Sequence, residues 1–347
     1  MMTNYFLIFV SALLIAFAGT PLARKLAPKL GFMDYPSSRK VHAHPMPKLG
    51  GVAIYGAFIL AIILAGNRFY IPQLFSILLG ATIVSFMGIW DDRWGLRPLA
   101  KLAIQVIAAL LLYMTGVSVQ LFPYHYLNLL IHLLWVVGIT NALNLLDNMD
   151  GLSSGVAVIA SAFFLLLAAM NGQVLVGALA AALLGGCLGF LFYNFNPATI
   201  FMGDSGSLFI GFVLSAVGIK LRFPQNIPAV TWMVPVVILW VPIFDTTLVV
   251  LSRLRRRLNP LTNPGKDHLS HRLVAMGMSK REAVMAIYLM SGGLGLLALF
   301  ITQASLYEAW AIMGLLIVLS IWGLWKLEKG WKGGSYGYGD KDKRQEH

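Results

Sequence analysis

The chain has 347 residues, of which 58% are hydrophobic and 12% charged, with a mean hydropathy of +0.76 and a formal net charge of +12. A soluble domain carries about 25% charged residues, so this chain has too few to coat a water-soluble core of its size, and a membrane protein is the reading that remains. The single cysteine, Cys187, sits in an apolar run and excludes an intrachain disulfide.

A membrane-spanning helix needs about 20 apolar residues. Eleven runs qualify in chain order: 3–23, 50–66, 71–90, 98–116, 126–146, 152–170, 173–193, 205–220, 229–252, 282–302 and 306–326. The runs are continuous rather than alternating, which predicts an all-α polytopic integral membrane protein and not a barrel. The first run has no basic residue ahead of it and "ARK" behind it, the pattern of a reversed anchor with the N-terminus outside. Eleven spans then leave the C-terminus in the cytoplasm, with the loops after the odd-numbered runs. Those loops and their edges hold 23 of the 26 basic residues, all but Arg68, Lys220 and Arg222. This asymmetry fixes the orientation and accounts for the net charge without nucleic acid. Residues 1–326 read as one transmembrane domain, and 327–347, polar and glycine-rich, as a disordered cytoplasmic tail.

The carboxylates are distributed as unevenly as the cations. Asp91 and Asp92 end the third run, Asp147 and Asp150 the fifth, and Asp204 opens the eighth; Asp34 and Asp267 lie in loops on the same predicted face, while the opposite face has only Glu308. Aspartates this close to lipid need partners. Several brought together stay ionised only beside cations, because neighbouring like charges raise one another's pKa. Mg²⁺ suits such a site, since it takes oxygen ligands, keeps waters and commonly binds one or two carboxylates together with substrate phosphates. Lysines, arginines and histidines in the same loops suit phosphate oxygens. The pattern points to phosphoryl transfer at a membrane surface.

In "NALNLLDNMDGL", Asn141, Asn144, Asp147 and Asp150 recur three apart, a stripe on a helix that Gly151 ends. Asp245 lies inside the ninth run, with a buried polar partner, an ion pair or a substrate contact all open to it. His268 and His271 lie in a basic loop without a cysteine or third ligand at zinc spacing, so phosphate or sugar contact is the better reading. The run "RLRRRL" reads as a membrane-edge anchor.

Five motifs in order, "RKVHAHPMPKLGG", "GIWDDRWGLRPLAKL", "NALNLLDNMDGL", "FYNFNPATIFMGDSGSL" and "PGKDHLSHRL", resemble those of the polyprenyl-phosphate N-acetylhexosamine-1-phosphate transferases over nearly the whole chain, to about residue 326. These bacterial inner-membrane enzymes start glycans such as teichoic acid, O-antigen and related lipopolysaccharide components. The resemblance implies attack of undecaprenyl phosphate on the β-phosphorus of a UDP-N-acetylhexosamine, with GlcNAc the default sugar. The products would be undecaprenyl-diphospho-sugar and UMP. It further implies a Mg²⁺ requirement that Mn²⁺ can meet, a cytoplasmic active site, a lipid groove between helices, and a homodimer.

Roles follow by matching position. Asp91 and Asp92 stand in the family's paired-aspartate motif, with Asp91 placed to deprotonate or orient the lipid phosphate. Asp204, with Asp92, is implied as metal ligand, and Lys101 as a phosphate-binding lysine. Asn144, Asp147, Asp150, Asn194 and Phe201 match the nucleotide pocket, where Phe201 would stack on uracil. A substrate-binding cation is implied in the first loop near His44 or Lys48, with Lys48 the candidate, and His268, His271 and Arg272 match the loop over diphosphate and sugar. The muramoyl-pentapeptide branch has three consecutive histidines in the last motif. Here Ser270 interrupts them, which argues against phospho-MurNAc-pentapeptide transfer. Asn148 replaces a common glycine, a position where Asn tolerates left-handed geometry. A multi-span transporter is the alternative of a different class. Its ionisable residues would lie near mid-membrane, often in repeated halves; here the acids lie at one edge, only Asp245 approaches mid-span, and no repeat shows.

Overall fold

A computed structural model describes residues 2–36, 44–65, 71–260, 265–329 and 331. Among them lie thirteen helices: α1 (Met2–Leu30), α2 (Gly50–Leu64), α3 (Ile71–Trp94), α4 (Pro98–Met114), α5 (His125–Leu146), α6 (Leu152–Met170), α7 (Val174–Asn194), α8 (Asp204–Lys220), α9 (Pro228–Ile238), α10 (Trp240–Arg255), α11 (Leu269–Ala275), α12 (Lys280–Ile301) and α13 (Leu306–Lys329). Seven are long and apolar enough to cross a membrane, eight if the bent pair α9–α10 is one span; α2 and α4 are shorter apolar helices. The chain is a multi-pass helical membrane protein.

The ninth run does not form one helix. It breaks at Leu239, and the two halves meet at 74°. Pro242 is the cause that the sequence supplies: it has no N–H for the carbonyl of Ile238 four residues back, and its ring would collide with that oxygen. A second departure is a two-residue antiparallel pair, β1 (Met33–Asp34) with β2 (Met46–Pro47), in the first loop. The loop then runs beside the segment before α8: Phe201 N–H donates to Pro47 O at 2.8 Å and Gly50 N–H to Phe201 O at 3.0 Å. Arg39, Lys40 and His42 of the first motif lie outside the described residues.

Helix α8 is the centre of the bundle. Ser205–Ile219 are all buried, against α2, α3, α5, α6 and α7. Backbones approach closely at its N-terminal end: a Cβ on Gly88 of α3 would lie 2.5 Å from Ser205 Cα, and one on Gly51 of α2 would collide with the Gly206 backbone. In lipid, where apolar surface alone does not drive helices together, small residues give this kind of contact its strength. The result is that α2, α3 and α8 end together, and their polar ends share one space. The last helix runs three residues past the predicted domain boundary, to Lys329, so Leu327–Lys329 are helical and not tail.

Candidate active site

The end of α3, the start of α8 and the first loop converge on a cluster of charges. Asp92 accepts the N–H groups of Asp204 (2.9 Å) and Ser205 (3.1 Å), and so caps α8, while Lys48 Nζ lies 2.7 Å from its Oδ1. Negative charge belongs at a helix N-terminus, where unpaired N–H groups and the helix dipole favour it. Gly203 makes the approach possible. Its φ of +75° with ψ of 177° is a conformation open almost only to glycine, and a Cβ there would stand 2.5 Å from Asp92 Oδ2. Asp91, the residue before, accepts Leu96 N–H at 2.6 Å and pairs with Lys101 Nζ at 2.5 Å. Lys101 reaches from α4 to both Asp91 and Asp204, the latter at 2.9 Å. Burial would lower the pKa of Lys48, but the charges of Asp92 and Asp204 outweigh it and hold the ammonium above its ordinary range.

Asp147 and Asp150 are not on a helix, as the three-residue spacing suggests. α5 ends at Leu146, and both lie in the turn that Gly151, at φ +75°, closes before α6. The stripe is divided accordingly. Asn141 exchanges amide hydrogen bonds with Gln105 of α4, and Asn144 donates to Ser207 Oγ at 2.9 Å. Asp150 Oδ2 accepts from Asn196 Nδ2 and Ala198 N–H, both at 3.0 Å. The Asp147 carboxylate has no hydrogen-bond partner among the described residues, although its N–H donates to Asn144 O at 3.2 Å. Burial, then the charges of Asp204, Asp92 and Asp150 against that of Lys48, raises its pKa to about 7.

Asn194 stands behind the pocket. It is 3% exposed, and its amide ties Gly151 N–H and Ser154 Oγ to the carbonyl of Ile200. Phe201 lies on the backbone bridge beside Lys48 and is partly exposed.

The last motif folds as a turn and the short helix α11. Ser270 Oγ donates to Asn148 Oδ1 at 2.5 Å, so the two positions that depart from the family pattern touch each other. Asn148 does not use left-handed geometry; among the described residues Arg257 is the sole non-glycine residue with positive φ. His271 is buried, its Nδ1 has no partner among the described residues, and burial followed by the charges of His268 and Lys266 lowers its pKa to about 4, so it is neutral at pH 7. Arg272 is committed to protein: Nε to Asp267 O, Nη1 to Leu327 O and Nη2 to Glu328 at 2.5 Å, with Trp331 under the guanidinium.

The "RLRRRL" run is more than an anchor. Arg253 grips both oxygens of Asp267 at 3.0 and 3.1 Å, and Arg256 adds a third contact at 2.7 Å. Desolvation would raise the Asp267 pKa; the Arg253 hydrogen bonds and charge outweigh it and hold it below the usual range. Its contribution to stability is therefore present above the unfolded value of about 4 and lost as pH falls through the lowered folded value. Asp267→Asn strands Arg253 at 4% exposure. The expected cost is about 3–5 kcal/mol, read as a lower thermal midpoint, with little change if the pair is ornamental.

The cluster's charges do not balance. Asp91, Asp92, Asp204 and Asp147 face two ammonium groups, Lys48 and Lys101. Asp147, lacking a donor and repelled by its neighbours, is the group that a divalent cation would satisfy. Among the described residues no three acids, histidines or cysteines form a cage for a metal. Beyond α11 lies a cavity of about 880 Å³ lined by apolar residues of α10, α12 and α13, among them Trp240, Phe244, Leu294, Leu297, Leu316 and Trp322. Leu269, Arg272 and Lys326 line it too, so the histidine helix is its shared wall with the site.

Residues 74–222, which carry Asp91, Asp92, Asp147, Asp150 and Asp204, match the model of glycosyl transferase family 4. The chain is 37% identical over 319 residues to a probable undecaprenyl-phosphate N-acetylglucosaminyl 1-phosphate transferase of Bacillus subtilis, covering 89% of this chain and 88% of the relative. It is 33% identical over 351 residues to a decaprenyl-phosphate N-acetylglucosaminephosphotransferase of Mycolicibacterium smegmatis, covering 91% and 86%. It is 25% identical over 332 residues to the undecaprenyl-phosphate alpha-N-acetylglucosaminyl 1-phosphate transferase of Escherichia coli K12, covering 89% and 87%. With that likeness along almost its whole length and the aspartates of its motifs gathered at one end of the bundle, the chain belongs to the polyprenyl-phosphate N-acetylhexosamine-1-phosphate transferase family.

Proposed function

We propose that the protein transfers GlcNAc 1-phosphate from UDP-GlcNAc to undecaprenyl phosphate at the cytoplasmic face of a bacterial inner membrane, releasing UMP. The observation that carries this reading is the Asp91–Asp92–Asp204 cluster with Lys48 and Lys101, short of positive charge beside the buried Asp147. Lys101 and Lys48 receive the anionic phosphates, exchanging part of their present ion pairs for them. Mg²⁺ bound by Asp204 and Asp147 would neutralise diphosphate charge as the leaving UMP departs. Asp92 serves the site from behind, because its oxygens already hold the α8 N-terminus and Lys48. Phe201 stacks on uracil, and the turn at Asp150 supports the nucleotide.

An oxygen of the lipid phosphate attacks the β-phosphorus, the bond between the two donor phosphates breaks, and UMP leaves. Direct attack is favoured over an aspartyl intermediate. Asp91 and Asp92 each accept a backbone N–H and pair with a lysine, which spends the electron density that a nucleophile would need. Asp91, held by Lys101, orients the attacking phosphate. The apolar cavity beyond α11 has the lining for the first isoprenoid units, with Arg272 and Lys326 as cations at its wall.

Purified protein with undecaprenyl phosphate and Mg²⁺ is expected to convert UDP-GlcNAc to a lipid-extractable diphospho-sugar, and to leave UDP-MurNAc-pentapeptide unchanged. Preference for UDP-GalNAc would correct the sugar. Turnover of the pentapeptide donor would overturn the reading of Ser270.

A further inference from the structure

Asp245 is the only acidic residue of α10, is 1% exposed, and takes no part in the charge cluster. A carboxylate buried in an apolar helix is costly unless both oxygens are satisfied. Both are: Oδ2 lies 2.8 Å from His268 Nδ1, and Oδ1 accepts Leu269 N–H at 2.6 Å. The partners lie 23 and 24 residues away, at the N-terminus of α11. Capping alone does not account for this arrangement. A serine, threonine or aspartate at position 268 would cap α11 locally, with no acid buried in α10. Instead the N-cap is His268, and the acid comes from another helix and uses its second oxygen on the imidazole.

That oxygen sets the ring's chemistry. The oxygen facing Nδ1 favours a proton on that nitrogen, so in the neutral ring Nε2 is the nitrogen that keeps a lone pair. Nε2 has no protein partner among the described residues, and unlike Nδ1 of His271 it is not sealed from solvent. The Ser270–Asn148 hydrogen bond holds α11 against the turn bearing Asp147 and Asp150. The His271 ring, edge-on at 6.0 Å, limits how His268 can swing.

We propose that Asp245 is a positioning residue that acts through His268, fixing the imidazole in the tautomer that offers Nε2 as a hydrogen-bond acceptor to the sugar-phosphate donor. The substrate in this statement rests on the function proposed above; the tautomer does not. Asp245→Asn separates the two roles of the carboxylate. The amide oxygen still caps Leu269, but the amide nitrogen can only donate to Nδ1, which drives the ring proton to Nε2.

The expected result is a fall in kcat/KM for UDP-GlcNAc of about 10- to 100-fold, the range in which partners behind a functional histidine act, with the thermal midpoint unmoved. Asp245→Asn added to His268→Gln should cost nothing further, since both act on one nitrogen. Full activity in Asp245→Asn, or losses that multiply in the double variant, would overturn the inference. Wild-type protein without turnover would instead sink the proposed function. In that event ¹⁵N spectra of histidine-labelled protein still decide the tautomer: Nδ1–H in the wild type and Nε2–H in Asp245→Asn support the assignment, and one tautomer in both refutes it.

Discussion

Replacing Asp204 by Asn is expected to lower kcat by about 10²–10³-fold, the loss typical of removing one preorganised charge contact from a transition state, while the protein still folds. Asp204 begins the helix at the centre of the bundle, and its side chain is one of two that hold Lys101. The amide keeps the shape and can still accept from Lys101, so packing is little disturbed. Loss of negative charge at the first turn of α8 costs about 0.3–1 kcal/mol, a shift of a few degrees at most in the thermal midpoint. What disappears is the charge to which the proposed function gives the anchoring of a cation and the balancing of the lysine while phosphates bind. The same change leaves Asp91 as the one carboxylate on Lys101, so the acceptor's orienting group is held more tightly as well. Activity within about threefold of the wild type would place the anchor elsewhere; misfolded protein would mean that the α8 terminus needs the charge for assembly.

The second large effect is a pH dependence of cation binding that belongs to Asp147. Its pKa, raised to about 7 by burial and by Asp204 and Asp92, makes it mostly protonated at pH 6 and mostly ionised at pH 8. Protons and Mg²⁺ then compete for one carboxylate. Without substrate, the Mg²⁺ concentration that half-protects the protein against thermal unfolding should fall as pH rises from 6 to 8. Below pH 7 the slope should approach about tenfold per pH unit. Asp147→Asn should flatten this dependence, weaken protection at pH 8, and reduce turnover sharply. A Mg²⁺ midpoint that is independent of pH in the wild type, or unchanged in the variant, would remove Asp147 from the cation site.

Much of this site is legible in the sequence because lipid makes charge rare. Asp91, Asp92 and Asp204 stand out at the ends of apolar runs, and topology alone gathers them at one end. Lys101 and Lys48 follow from motif position, and both are found on those carboxylates. The break at Leu239 is less visible, since Pro242 sits in a run whose composition says span, though the missing N–H was there to read. Helix periodicity overran the end of α5: Asp147 and Asp150 keep the spacing of a stripe, but the chain has already turned toward Gly151. Partners far apart in the chain could not be paired from spacing. Asp245 finds His268, and Arg272, matched to the substrate loop, spends its guanidinium on Asp267, Leu327 and Glu328. In each case a costly buried charge was visible, and only the fold supplied its partner.

The most direct test is release of UMP from UDP-GlcNAc by the purified protein, measured with and without undecaprenyl phosphate and with and without Mg²⁺. Release that needs both the lipid and the metal, and that Asp204→Asn suppresses, is the predicted result. Release that ignores the lipid, or none from folded protein with either UDP-GlcNAc or UDP-GalNAc, would contradict transfer to a polyprenyl phosphate at this site.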